Sequence, residues 1–173
     1  MHTPQTIVII GLGDTCKGIA NGLSNGNDRV LLCDEKYETA KSLANGLQEA
    51  YPYFDVEAIN CSYEAVWEGD VIILALPCTL HQEVAEKIRA VANQKVVVTT
   101  HASLDALQQL LPNSKLVQAF DKVDPGAFYL PPSQRHSVDC TVTGNDQEAV
   151  KAVSSLVKTI GFNPVAHSNI EMA

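Results

Sequence analysis

Short unbroken apolar runs alternate along this chain with stretches in which apolar residues recur every three or four positions. Ile7–Ile10, Arg29–Cys33, Asp70–Leu76, Lys95–Val98 and Lys115–Phe120 read as buried strands. Val56–Ile59 and Val138–Thr143 alternate as strands do, and Phe162–Val165 reads as a short closing strand. Between them the helical period places Ile19, Ala20 and Leu23 on one face of 14–24, and Ala40, Leu43, Ala44 and Leu47 on one face of 36–47. Further helices are expected at Tyr63–Trp67, Leu80–Val91, Leu104–Leu111 and Asp146–Lys158, the last capped by Gly161. Regular alternation of strand and helix predicts an α/β fold: a doubly wound, mostly parallel sheet of about eight strands with helices on both faces. The connection 122–136, rich in Pro and Gly, is long for a compact domain and reads as a functional or mobile loop.

Chemistry first enters at the opening strand. Ile7–Ile10 runs into Gly11-Leu12-Gly13, and a helix begins at Asp14. Gly11 permits the tight turn, and Gly13 lets backbone approach a diphosphate. The turn and helix-start amides of Leu12, Asp14, Thr15 and Cys16 offer hydrogen bonds to an anion. Cys16 stands where the G-x-G-x-x-G/A fingerprint has its third small residue, so the match is imperfect. It is read either as a packing residue or as a thiol activated by the helix start. A purely structural glycine turn is the alternative for the whole motif.

With 173 residues the chain is expected to fold as one domain spanning 1–173, without repeats, low-complexity tracts or a linker. A formal net charge of -8 argues against nucleic-acid backbones and anionic membrane surfaces as partners, although local amides can still hold an anionic dinucleotide. The five cysteines lack a C-x-x-C pair and suit reduced, mostly buried thiols. No apolar run reaches spanning length, and no cleavable leader is recognisable, so a soluble cytoplasmic protein is expected.

Several stretches together resemble one family. They are Gly69-Asp70-Val71-Ile72-Ile73-Leu74-Ala75-Leu76-Pro77, Leu111-Pro112 leading to Leu116-Val117-Gln118-Ala119-Phe120, Thr143-Gly144-Asn145-Asp146, and Ile160-Gly161-Phe162-Asn163-Pro164-Val165. In order and spacing the chain resembles the NADP oxidoreductase family named for coenzyme F-420, a deazaflavin; its Rossmann domain also occurs in membrane ferric reductases. The resemblance implies a Rossmann dinucleotide-binding fold and hydride transfer between a nicotinamide and a flavin, a deazaflavin or a small redox acceptor.

Departures from the family's pattern shape the remaining expectations. Relatives commonly carry Ser-Arg after the second strand, where a cation meets the 2′-phosphate of NADP; this chain has Asp34-Glu35. A carboxylate repels that phosphate and accepts from the free ribose hydroxyls of NAD, and Asp34 lies about 20 residues past the glycines. NAD is therefore favoured over NADP, with adjacent Lys36 as a partial rescue for NADP and an N-cap role as the alternative for Asp34. Ala102-Ser103 replaces the family's Asn-Pro, and Asp121 replaces an Asn. The sequence ends at Ile170-Glu171-Met172-Ala173, where many relatives begin a further helical segment that contributes to the acceptor site and the dimer; a homodimer therefore stays open.

Ligands of such sheets lie beyond the carboxyl ends of the strands. Leu76, Pro77 and Cys78 are expected along the dinucleotide, with Thr100, His101 and Asp121 nearer the nicotinamide. His101 is read either as a proton donor or carboxamide-orienting catalytic residue, or as a histidine hydrogen-bonded at a strand end. Cys78 and His81 form C-x-x-H, but no second ligand pair lies nearby in sequence, and no metal is expected. Trp67, Tyr51 and Tyr53 are expected to pack at the edges. A non-catalytic NAD(H)-binding or sensor module is the alternative to an enzyme.

Overall fold

A computed structural model describes residues 3–101 and 103–168 of the chain. Ala102 and 169–173, on which two departures from the family pattern fall, lie outside the described residues. The strands are β1 (Thr6–Ile10), β2 (Arg29–Cys33), β3 (Val56–Ala58), β4 (Val71–Leu74), β5 (Val96–Thr99), β6 (Lys115–Ala119), β7 (Asp139–Gly144) and β8 (Asn163–Ser168). The helices are α1 (Asp14–Leu23), α2 (Tyr37–Ala50), α3 (Ser62–Glu68), α4 (Cys78–Ile88), α5 (Leu104–Leu110), α6 (Pro132–Arg135) and α7 (Gln147–Ile160).

All eight strands form one sheet in the order β3-β2-β1-β4-β5-β6-β7-β8. Neighbours are parallel except β6 and β7, which pair antiparallel through Gln118 opposite Thr143. The order reverses direction between β1 and β4, where Ile7–Ile10 lie opposite Val71–Leu74. That reversal opens a crevice beyond the carboxyl ends of the strands.

Alternation along each strand sorts the core into two layers. Ile7, Ile9, Val30, Leu32, Val71 and Ile73 face one way and pack with α1, α2 and α7. Val8, Ile10, Leu31, Cys33, Ile72 and Leu74 face the other way and pack with α3, α4 and α5. Burial on both sides explains why these strands read as unbroken apolar runs. The most hydrophobic run stops being a strand at Leu74; Ala75 and Leu76 are buried but belong to the turn before α4.

The 122–136 connection is more structured than its composition suggests. Pro125–Tyr129 forms a 3-10 turn whose Asp124 carboxylate accepts from the Gly126 amide at 2.7 Å, and α6 follows. Phe128 is fully buried and stacks edge-on against Phe162, with ring centroids 5.1 Å apart. It lies so close to α1 that a Cβ on Gly18 would meet its ring at 2.4 Å. The connection is thus a strap packed on α1 rather than an open loop. Arg135 fixes its far end by donating to the carbonyls of Leu130 (2.8 Å) and Ile160 (3.1 Å). The aromatic residues expected at the edges are exposed, Trp67, Tyr53 and Tyr51 alike, and the Tyr51 hydroxyl donates to Asn21 Oδ1 at 3.1 Å.

Candidate active site

The glycine turn begins where β1 ends. Gly11 takes φ +92, a left-handed conformation that suits glycine, and its amide donates to the Cys33 carbonyl at 2.9 Å. A Cβ there would stand 2.6 Å from Leu76 Cδ2, so the turn is packed hard against the loop after β4. Gly13 differs: it is exposed, and nothing lies within 4 Å of the place where its Cβ would project. Gly13 is also the N-cap of α1, so the amides of the first turn, from Asp14, Thr15 and Cys16, lack helical carbonyl partners. Open space beside uncommitted amides fits the approach of a diphosphate. Asp14 is exposed beside them, where its charge favours the helix end.

Asp34 closes the other side of the turn. Its Oδ1 accepts from the Leu12 amide at 3.2 Å and its Oδ2 from the Lys36 amide at 3.1 Å. The N-cap of α2 is Lys36, so Asp34 is not the helix cap. Asp34 instead lines a cavity of about 210 Å³ near the place where the sheet order reverses. One wall of this cavity holds Ile10, Gly11, Cys33, Asp34 and Glu35. The opposite wall is Leu76 with Leu80, Glu83, Val84 and Lys87 of α4, and Asn60 and Ser62 close its end.

Of the residues singled out in the sequence, Gly11, Asp34, Glu35 and Leu76 meet in this cavity. Gly13, Asp14 and Thr15 continue the surface along the start of α1, and Lys36 and Pro77 are exposed beside it. The side chains of Leu12 and Cys16 are buried in the core under α1, and the Leu12 amide, expected to offer a hydrogen bond to an anion, donates instead to Asp34. The activated-thiol reading of Cys16 is overturned: burial, and then the negative charge of Asp34, push its pKa well above the ordinary thiol range. Cys33 is likewise pushed up to about 12, first by burial and then by Cys61. Cys78 opens α4.

Thr100, His101 and Asp121 stand beyond the ends of β5 and β6, outside the lining of the cavity. Thr100 is buried, and its Oγ1 lies 2.6 Å from Nδ1 of the exposed His101. Asp121 is exposed and follows Phe120, whose φ of +63 turns the chain sharply at the end of β6.

Sequence reasoning missed the α4 wall. Leu80, Val84 and Lys87 recur at helical spacing on one face, a signal that also fits ordinary amphipathic packing. His81, noted in the sequence only as the second member of a C-x-x-H pair, is buried and donates from its ring Nε2 to the Leu76 carbonyl at 2.8 Å. It thereby holds the turn that carries Leu76 into the cavity. Among the described residues, no group of three or more His, Cys, Asp or Glu is arranged to hold a metal ion.

Comparison with known proteins now decides the family. Residues 6–103 match the family described as NADP oxidoreductase coenzyme F420-dependent. This protein belongs to that family. Its sequence is 27% identical to an F420-dependent NADP reductase of Methanocaldococcus jannaschii, over 95% of this chain and 83% of the relative. The fold matches a hypothetical protein of Sinorhizobium meliloti with a TM-score of 0.74 at 18% identity, covering 95% of this chain and 85% of that one. It also matches 3-hydroxyisobutyrate dehydrogenase of Mycobacterium tuberculosis with a TM-score of 0.73 at 15% identity, over 96% of this chain and 55% of the other. Membership makes the F420-dependent family's Rossmann fold and nicotinamide-dinucleotide oxidoreductase class the frame for the site. Among the described residues, no helix is long and apolar enough to cross a membrane.

Proposed function

We propose that the protein binds NAD(H) in preference to NADP(H), with the adenosine half in the cavity between β2 and α4, and moves hydride between the nicotinamide and a flavin, deazaflavin or small redox acceptor. The observation that carries this reading is the Asp34 carboxylate, which lines the same cavity as the glycine turn and has Glu35 beside it. Two carboxylates at the end of β2 accept from ribose hydroxyls and repel a 2′-phosphate. The family's name carries NADP, so the preference proposed here is a property of this chain's own residues.

Each part of the site has a task in this reading. Gly13 and the first amides of α1 receive the diphosphate, while Leu76, Leu80 and Val84 offer an apolar wall to the adenine. Thr100 positions the exposed His101 ring through the 2.6 Å contact at Nδ1, and His101 is assigned proton donation to an acceptor or contact with the carboxamide. The bound nicotinamide supplies the hydride. The chain's contribution is to hold the two reacting partners stacked and in register, which requires no acid on the protein.

A second reading is supported by the same geometry. The adenosine side forms a cavity, whereas Thr100, His101 and Asp121 lie outside its lining. That asymmetry suits a module that binds or senses NAD(H) without turnover. Rapid mixing of the reduced-cofactor complex with riboflavin, flavin mononucleotide and a deazaflavin separates the two. Oxidation of the nicotinamide at a rate that saturates with acceptor supports the oxidoreductase; tight binding with no protein-dependent oxidation supports the sensor.

A further inference from the structure

The adenosine cavity has two walls, and the proposed rejection of a 2′-phosphate has so far rested on one of them. On the opposite wall, Lys87 and Glu83 of α4 both line the cavity. Lys87 Nζ lies 3.2 Å from Glu83 Oε1, one helical turn away. Among the described lining residues Lys87 is the only ammonium, beside three carboxylates: Asp34, Glu35 and Glu83. Both side chains are more than half exposed, so the pair carries the small energetic weight of a surface contact. Its partners nonetheless line a ligand-sized space, so the pairing of the ammonium bears on the charge the cavity presents.

We infer that Glu83 is a second specificity determinant, which holds Lys87 in an internal ion pair and so withholds it from the 2′-phosphate of NADP. The inference rests on the reading of this cavity as the adenosine subsite. A ribose with free hydroxyls needs no cation, and the Lys87–Glu83 pair stays closed beside it. A 2′-phosphate brings about two negative charges. It meets Asp34 and Glu35 on one wall and finds the lysine opposite paired with Glu83. Replacing Glu83 with Gln removes one repelling charge and releases the ammonium as a compact point-charge donor for phosphate.

The test is a titration of NADH and NADPH against four forms: wild type, Glu83→Gln, Glu83→Gln with Lys87→Gln, and Glu86→Gln. Glu86 lies on the same helix but not in the cavity lining, so its substitution changes net charge equally. Glu83→Gln is expected to tighten NADPH about threefold or more, the size of one exposed ion pair, with NADH changed less than about twofold. Adding Lys87→Gln is expected to cancel the gain, and Glu86→Gln to produce none. An equal gain with Lys87 absent, or from Glu86→Gln, would show a general field effect and overturn the inference. No gain from Glu83→Gln in a protein that binds NADH overturns it as well. If no form binds either dinucleotide, the reading of the cavity itself fails, a different outcome from the others.

Discussion

The carboxylate of Asp34 and the backbone amide of Leu12 are joined across the glycine turn, Oδ1 accepting at 3.2 Å. One side chain therefore shapes the loop proposed to face a diphosphate and belongs also to the lining of the adjoining cavity. Two substitutions pull these roles apart. Asp34→Asn keeps a carbonyl oxygen for the Leu12 amide while discarding the charge and the acceptor of the Lys36 amide, so the ratio of NADPH to NADH affinity should rise even if both affinities fall somewhat. Asp34→Ala discards both, and NADH affinity should fall about tenfold or more, as when a hydrogen bond to a charged group is removed. Fluorescence titration of the reduced cofactors reads both; a proportional loss for both cofactors in both variants would deny the charge its role.

Gly13 and Gly18 sit five residues apart and should respond oppositely to alanine. At Gly18 the added methyl meets the Phe128 ring at 2.4 Å, so Gly18→Ala should destabilise the fold by about 1–3 kcal/mol in urea unfolding. At Gly13 nothing obstructs the methyl. Gly13→Ala should change stability by no more than about 1 kcal/mol, the scale of an N-cap substitution, yet weaken dinucleotide binding. Unimpaired binding by Gly13→Ala would move the diphosphate away from this turn.

Burial of the thiols gives stability a defined alkaline limit. Cys33 is pushed up to about 12 and Cys140 to about 11, against an ordinary value of 9.0. Burial is the first cause for both; for Cys140 a backbone hydrogen bond from Phe120 opposes it. A raised thiol pKa means that the unfolded chain releases the proton first as pH climbs. The full contribution is present below about pH 9, and stability declines from there toward pH 11 and 12. Urea midpoints measured at pH 8 and pH 10.5 should show the fall, and Cys33→Ala should lessen it. At pH 8 a thiol-specific chromogen should react quickly with exposed Cys61, and Cys61→Ser should remove one fast equivalent.

His101 is exposed at the end of β5 with its Nδ1 engaged by Thr100. If the His101 ring serves the acceptor, His101→Gln should slow turnover about tenfold or more while leaving cofactor affinity within about twofold, in keeping with the usual scale of acid–base assistance. An unchanged rate would leave the residue a strand-end histidine.

How much of this was legible in the sequence varies from element to element. β1, β2 and β4 through β6 declared themselves because burial on both faces makes their apolar runs continuous. The strap at Pro125–Arg135 did not, because its order comes from Phe128 lying on Gly18, a contact between residues 110 positions apart. Asp34 was found by its spacing from the glycines, but its bond to Leu12 needs the turn folded back. Cys16 could be read from sequence as a packing residue or an active thiol, because a helix start exposes backbone; its buried side chain settles it as packing. Glu83 and Lys87 look like any i,i+4 pair until α4 is seen facing Asp34 across a cavity.

Isothermal calorimetry of the wild-type protein with NADH and with NADPH tests the central claim most directly. The account expects one saturable site for NADH and weaker binding of NADPH. Heat from neither dinucleotide, or tighter binding of NADPH, would contradict it.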